Sequence, residues 1–301
     1  MKKYIFKTIV FVLVFCVSLI MMCIPFYPLR NLGIQYIDVI NKTKKLACEK
    51  EYSIETIILG DSISWAGISP LRIYAKDKLT VYNCSTSGQT VMDSTAILEK
   101  SLYYQQPKAI ILDANCIFGS RNSMYSPLDD LFPIFRYHDY YMKNYWENES
   151  GDWWKGYSYN DYIENFTMTH YMVREKVKWP KVSQIYLDKF YSICQKNSIS
   201  LVLMALPCPF SWNQTKHEVI QKWADKKNIE FLDFNSNGMV DIDYSKDFRD
   251  NGEHLNDNGA TKCSYALGKY LKETYHLQEK TNQEYERAIE AVGVYGQDGL
   301  Q

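Results

Sequence analysis

The sequence predicts an α/β protein of three layers, a parallel sheet with helices on both faces, behind one membrane-spanning helix. Three observations carry this. From about residue 52, short apolar runs of strand length alternate with amphipathic stretches of helical length, the pattern of βα units. From Thr8 to Leu29 there is no charged side chain. At roughly 1.5 Å per helical residue, that run can cross a hydrocarbon core of about 30 Å. Residues 118–181 interrupt the alternation with about sixty residues that carry no strand signal, too long for a plain connection and therefore an insertion.

The elements follow in chain order. Lys2, Lys3 and Lys7 precede the apolar run and Arg30 follows it. This places residues 1–7 in the cytoplasm, residues 8–29 across the membrane, and the rest of the chain outside the cell. Ile24-Pro25-Phe26 is too bulky for a small-x-small cleavage site, so the run reads as an uncleaved signal anchor of a single-pass protein. Residues 30–51 are polar and Lys-rich, with Ile34, Ile37, Val39 and Ile40 as weak anchors, and read as a linker helix. The expected strands are Thr56–Leu59, Thr80–Tyr82, Ala109–Leu112, Ser200–Ala205 and Glu230–Leu232. Expected helices span about 92–104, 182–197, 216–227 and 258–275, the last capped by Asp257 or Asn258. The α/β domain thus covers 52–277, and 278–301 is a polar tail, helical to about Ala291 and then disordered.

With 34 basic and 35 acidic residues the net charge is −1, which gives no reason to expect a nucleic-acid partner. Of eight cysteines, Cys16 and Cys23 lie in the apolar run. The other six are scattered with no CxxC pair, so they read as small buried hydrophobes and no metal site is expected. Aromatics make up 15% of the chain and concentrate in the insertion, which holds Arg136-Tyr137-His138, Trp153-Trp154-Lys155-Gly156-Tyr157 and His170. An aromatic cap over a binding crevice and a peripheral packing module are both open readings. His138 is a candidate substrate contact and His170 a packing residue.

The chemistry lies at strand ends. Ser62 follows the first strand in Gly60-Asp61-Ser62, Gly88 follows the second, Asn115 follows the third, and His254 precedes the last helix. In an open parallel sheet these ends meet at one crevice. A serine needs a base to become a nucleophile at neutral pH, and the base needs an acid to hold its tautomer. Asp250 and Glu253 both lie close enough in sequence to His254 to serve as that acid. Asp250 is preferred, because adjacent residues rarely aim their side chains at each other. Asp61 reads as structural, bonding its turn amides, and Ser64 as a helix N-terminal hydroxyl. Trp212 follows the fourth strand and reads either as a wall of the substrate pocket or as a core residue.

Leu59-Gly60-Asp61-Ser62, Asn83-Cys84-Ser85-Thr86-Ser87-Gly88-Gln89 and the segment from Asp250 to Ala260 together resemble the SGNH (GDSL-type) hydrolase family, over about residues 51–271. The resemblance implies a flavodoxin-like α/β/α fold, Ser62 as nucleophile and His254 as general base. It also implies an oxyanion hole made of the Ser62 and Gly88 amides and the Asn115 side chain. Two blocks depart from the family pattern. Asp113-Ala114-Asn115-Cys116 keeps only the Asn of Gly-x-Asn-Asp, and the residue three before His254 is Asn251 rather than Asp. The expected function is that of an extracytoplasmic serine esterase working through an acyl-enzyme, without metal or organic cofactor, on O-acylated cell-envelope carbohydrate or another small ester. An O-acetyltransferase served by a membrane acyl-donor protein is one alternative. A non-catalytic glycan-binding module is the other.

Overall fold

Isoleucine, leucine and valine dominate five short runs that hydrogen-bond into one parallel sheet. In the computed structural model, which describes residues 2–26, 37–119, 132–134, 152–165, 167, 171–236 and 238–293, these are β1 (Thr56–Leu59), β2 (Val81–Asn83), β3 (Ala109–Asp113), β4 (Ser200–Ala205) and β5 (Glu230–Asp233). Their order is β2-β1-β3-β4-β5. That is the flavodoxin-like arrangement, whose crevice opens where the chain reverses direction across the sheet, between β1 and β3. Registers of Thr56 with Ala109 and of Ala109 with Ser200 bring the C-terminal ends of the central strands level. β1, β2 and β3 are buried along their whole length, as a sheet covered on both faces requires.

Three strands run one residue further than their apolar pattern, and for one reason. Asn83, Asp113 and Asp233 each end a strand, and each side chain accepts the amide of the residue two positions on. The polar side chain therefore terminates the strand from inside it, turning the chain into the crevice loop.

The described residues hold nine helices, eight of them in the α/β domain. The apolar helix α1 (Lys2–Cys23) begins nearer the N-terminus than the expected 8–29 and is followed by a 3-10 turn, Ile24–Phe26. It is long and apolar enough to cross a membrane, as an anchor or a signal sequence would be. The segment expected as a linker holds α2 (Ile37–Ala47), which packs on the domain with Leu46 fully buried. Between β1 and β2 stand two helices absent from the expected elements, α3 (Ser62–Gly67) and α4 (Pro70–Asp77). The first is too short to show a helical period, and the second starts on a proline that suits a first helical position.

The remaining helices follow the expected order. α5 (Val91–Ser101) opens on a reciprocal cap between Thr90 and Asp93. α6 (Lys181–Lys196) follows the insertion, and α7 (Gln214–Lys227) is capped by Asn213. α8 (Asp257–Tyr275) is capped by Asn256 rather than by Asp257 or Asn258, because the Asn256 carbonyl accepts from both Asn258 N and Gly259 N.

The last helix, α9 (Gln283–Val292), makes the end of the domain part of its core rather than a loose polar tail. Tyr285 is fully buried, its ring 4.9 Å from that of Tyr74, and its hydroxyl donates to the Val81 carbonyl of the edge strand β2. The insertion covers the same edge, where Asn83 N donates to the Lys155 carbonyl. Lys155 itself is buried against the Glu49 carboxylate at 2.7 Å. Burial raises the Glu49 carboxyl to about 7 even with that ammonium beside it. The described residues of the insertion contain no strand, and residues 294–301, with most of the expected disordered end, lie outside the description.

Candidate active site

Ser62 is the first residue of α3, and Asp61 caps that helix by accepting the Ile63 amide at 3.0 Å. The cap fixes the strand-to-helix turn, so the Ser62 hydroxyl stands at the C-terminal tip of β1. Gly60 makes the turn tight. A Cβ there would lie 2.3 Å from Asp113 Cβ and 2.3 Å from Ser64 Oγ. β1 and β3 can therefore approach closely only because this residue has no side chain.

His254 arrives from the far end of the chain on a loop with a defined geometry. Phe248 and Leu255 form an antiparallel bridge, Arg249 N donates to His254 O at 3.1 Å, and the buried Leu255 side chain anchors the return. Within this loop Asp250 folds back. Its Oδ1 accepts from Glu253 N at 3.2 Å and from His254 N at 2.6 Å, which turns Oδ2 to His254 Nδ1 at 2.7 Å. The four-residue spacing is thus bridged by a turn that a three-residue spacing would not need. With Nδ1 protonated toward Asp250, Nε2 is left as an acceptor. The Ser62 hydroxyl lies 2.8 Å from it.

Glu253 lies close by, since Asp250, Glu253 and His254 each bring a ligand atom within 4.8 Å of the others. Its carboxylate does not hydrogen-bond the ring. Both imidazole nitrogens are engaged, one by Asp250 and one by Ser62, so no ring lone pair is open to an ion.

Three further donors belong to the loops that follow β1, β2 and β3. The Ser62 amide, as the first of a helix, has no carbonyl partner, and among the described residues neither it nor the Gly88 amide donates to the protein. Gly88 holds φ 65°, a left-handed conformation that suits glycine and that presents its amide outward from the loop after β2. Asn83 braces this loop, donating to Ser64 O at 2.8 Å and Ile68 O at 3.0 Å. Asn115 opens from the 3-10 turn after β3 and gives one Nδ2 hydrogen to Asp61 Oδ2 at 2.8 Å. Its second hydrogen remains for a ligand.

One group bonded to Asn115 was not singled out from the sequence. Lys216 donates to Asn115 Oδ1 at 3.0 Å and to the Ser211 carbonyl at 2.6 Å. Burial lowers its ammonium pKa. Burial also pushes up the carboxyls of Asp61 and Asp113, Asp113 the further because Asp61 faces it. Trp212 is 2% exposed, lies edge-on to Phe118 and Phe231, and donates Nε1 to Asp233, so it is a core residue and offers no face to a substrate. His138 and His170 lie outside the described residues. A hollow of about 260 Å³ beside α3 is lined by Lys42, Lys45, Trp65, Thr86, Asp152 and Tyr157.

No protein-family model and no curated protein sequence matches the chain. Among solved structures it is similar to a GDSL-like lipase of Bacteroides thetaiotaomicron, at 13% identity over 77% of this chain and 95% of that one, with a TM-score of 0.42. It is also similar to a lipase/acylhydrolase of Enterococcus faecalis, at 14% identity over 76% and 100%, TM-score 0.42. The third is a psychrotrophic esterase of Pseudoalteromonas, at 12% identity over 74% and 100%, TM-score 0.42.

Proposed function

We propose that this chain is a membrane-anchored serine esterase of the SGNH type, its catalytic domain outside the cell. One observation carries the reading. Ser62, His254 and Asp250, from both ends of the domain, meet in a continuous relay of 2.8 and 2.7 Å. As Ser62 Oγ attacks an ester carbonyl, Nε2 takes its proton, and Asp250 stabilises the imidazolium and holds its tautomer. The oxygen that gains charge is received by the Ser62 and Gly88 amides and the free Nδ2 hydrogen of Asn115, a preorganised site for the tetrahedral intermediate. His254 then returns the proton to the leaving alcohol. Water, activated by the same nitrogen, releases the acid and restores the serine. Asp250, not Glu253, is the acid in this scheme, because it alone bonds Nδ1.

Three supports favour an O-acylated envelope carbohydrate as substrate. The apolar α1 fits an anchor, and its flanking lysines favour a domain outside. The hollow beside α3 has the half-buried Trp65 ring in its lining, and such rings stack on sugar faces. Lys42 and Lys45 outnumber Asp152 in its lining, a net positive charge that suits a carbohydrate bearing acidic groups.

The full chain, purified in detergent, is treated with a fluorophosphonate probe and with acetylated polysaccharide. Labelling of the intact protein that vanishes in Ser62→Ala, with acetate released only by the intact protein, is the expected result. A wild-type protein that neither labels nor releases acetate would remove the enzyme reading in favour of glycan binding alone.

A further inference from the structure

We infer that Lys216 is a positioning residue that fixes and polarises the Asn115 carboxamide as an oxyanion donor. This inference rests on the esterase reading above. The placement of Lys216 is anomalous. Lys216 lies in the first turn of α7, where the helix dipole disfavours a cation, and its ammonium is mostly buried, at the further cost of desolvation. Among the described residues no carboxylate pairs with it directly, and Asp61, Asp113 and Glu175 act on it only from further off. Two adverse terms and no salt bridge call for another role.

The contacts supply it. Nζ donates to Asn115 Oδ1 at 3.0 Å and to the Ser211 carbonyl at 2.6 Å, and it sits 5.3 Å from the centre of the Phe118 ring. The Ser211 hydroxyl adds a longer contact to the same Oδ1, at 3.4 Å. On the other side, Asn115 Nδ2 donates to Asp61 Oδ2 at 2.8 Å. An ammonium only donates, and a carboxylate only accepts. The amide can therefore take one orientation, with oxygen to Lys216 and nitrogen to Asp61. Were it flipped, an N–H would face an ammonium and a carbonyl would face a carboxylate. One Nδ2 hydrogen is spent on Asp61, and the other is fixed in direction by the same two contacts.

The same wiring acts on donor strength. A cation on the amide oxygen withdraws electron density from the nitrogen, so the free N–H becomes a better donor to a developing oxyanion. The orienting charge comes from α7, about a hundred residues on.

Steady-state hydrolysis of p-nitrophenyl acetate by the full chain in detergent tests this, with Lys216→Met, Lys216→Arg, Asn115→Ala and the Lys216→Met/Asn115→Ala double variant. Removal of an oxyanion donor costs about a hundredfold or more in kcat. Lys216→Met is expected to lower kcat by about tenfold, with KM little changed, because the donor remains but is neither aimed nor polarised. Lys216→Arg should restore most of the rate. The double variant should be no slower than Asn115→Ala alone, since a residue that acts only through Asn115 has nothing left to orient. Wild-type kcat in Lys216→Met overturns the inference, as does a double variant whose loss is the product of the two single losses. If Lys216→Met does not fold by circular dichroism, Lys216→Gln, which keeps a donor without charge, replaces it under the same criteria. Ser62→Ala is run alongside. Full activity in that variant sinks the esterase reading, whereas its inactivity beside an unaffected Lys216→Met sinks only the role of Lys216.

Discussion

Gly60→Ala concentrates the logic of this fold in one methyl group. An alanine Cβ at position 60 would sit 2.3 Å from both Asp113 Cβ and Ser64 Oγ, and 3.2 Å from Asp113 Oδ2. Ordinary contacts between such atoms are about 3.5–4.0 Å, so more than an ångström must open on two sides. Neither side yields easily. Asp113 ends β3, in register with Met204 of β4, and its Oδ1 holds the Asn115 amide. Ser64 lies inside α3 and is bonded to Ser85 at 2.9 Å. Overpacking of a tight interior costs about 1–3 kcal/mol, and two rigid neighbours put this site at the upper end. For a domain of about 250 residues that is roughly 6 °C in Tm. Gly67→Ala is the control, since its added Cβ meets first the far end of a flexible side chain, Leu206 Cδ1 at 2.6 Å. Thermal unfolding followed by circular dichroism, with kcat for p-nitrophenyl acetate in parallel, reads both effects. Gly60→Ala should lose more stability than Gly67→Ala. It should also lose activity beyond its loss of folded protein, because Asp113 carries Asn115 with it. Equal Tm and kcat for Gly60→Ala and the parent would refute the claim that this contact sets the distance between nucleophile and oxyanion donor.

Three further outcomes are expected. Asp250→Asn should reduce kcat by about 10²–10⁴, from the lost tautomer control, while Glu253→Gln stays within about twofold; the opposite ranking in steady-state assays would transfer the acid role to Glu253. Glu49, raised by burial from 4.5 to about 7, binds its proton more tightly in the folded chain than in the unfolded one. Its contribution is therefore full below about pH 4.5 and is lost as pH rises to 7 and beyond, a change on the order of 3 kcal/mol. Melting curves across that range should show wild type falling relative to Glu49→Gln, and parallel curves would contradict the shift. Tyr285→Ala should cost about 3–5 kcal/mol, as deletion of a buried aromatic does, and a Tm unchanged in the same melts would show that α9 is not part of the core.

Where the sequence was legible, a local pattern and a structural demand coincided. The apolar runs of β1 and β4 coincide with their strands because both ends of each are set by burial. β2, β3 and β5 end on Asn83, Asp113 and Asp233, whose polar side chains hide strand backbone from any hydrophobic reading. Ser62, His254 and Asp250 could be named in advance because serine chemistry demands a base and an acid, and few residues at strand ends offer them. Lys216 could not, since a lysine on an amphipathic helix is ordinarily solvated. Its position in a first turn, against the helix dipole, was the one available signal. Trp212 was ambiguous because a large indole serves a pocket or a core equally well by sequence, and only its bond to Asp233 and its burial decide. α9 was read as a tail from its polar composition. Three buried side chains, Tyr285, Ala288 and Ile289, dock it on the domain.

The covering of β2 has a practical corollary. Tyr285 and Lys155 satisfy the Val81 carbonyl and the Asn83 amide on the side of that strand away from β1. Were the protein shortened at residue 278, this rim would be stripped of its C-terminal guard, leaving a main-chain acceptor free to recruit another polypeptide. Such a trimmed form should drift into oligomers and precipitate, although every group around Ser62 is intact. For this molecule, solubility is governed at the β2 margin of the sheet, guarded by the helix farthest in sequence from the apolar N-terminal one.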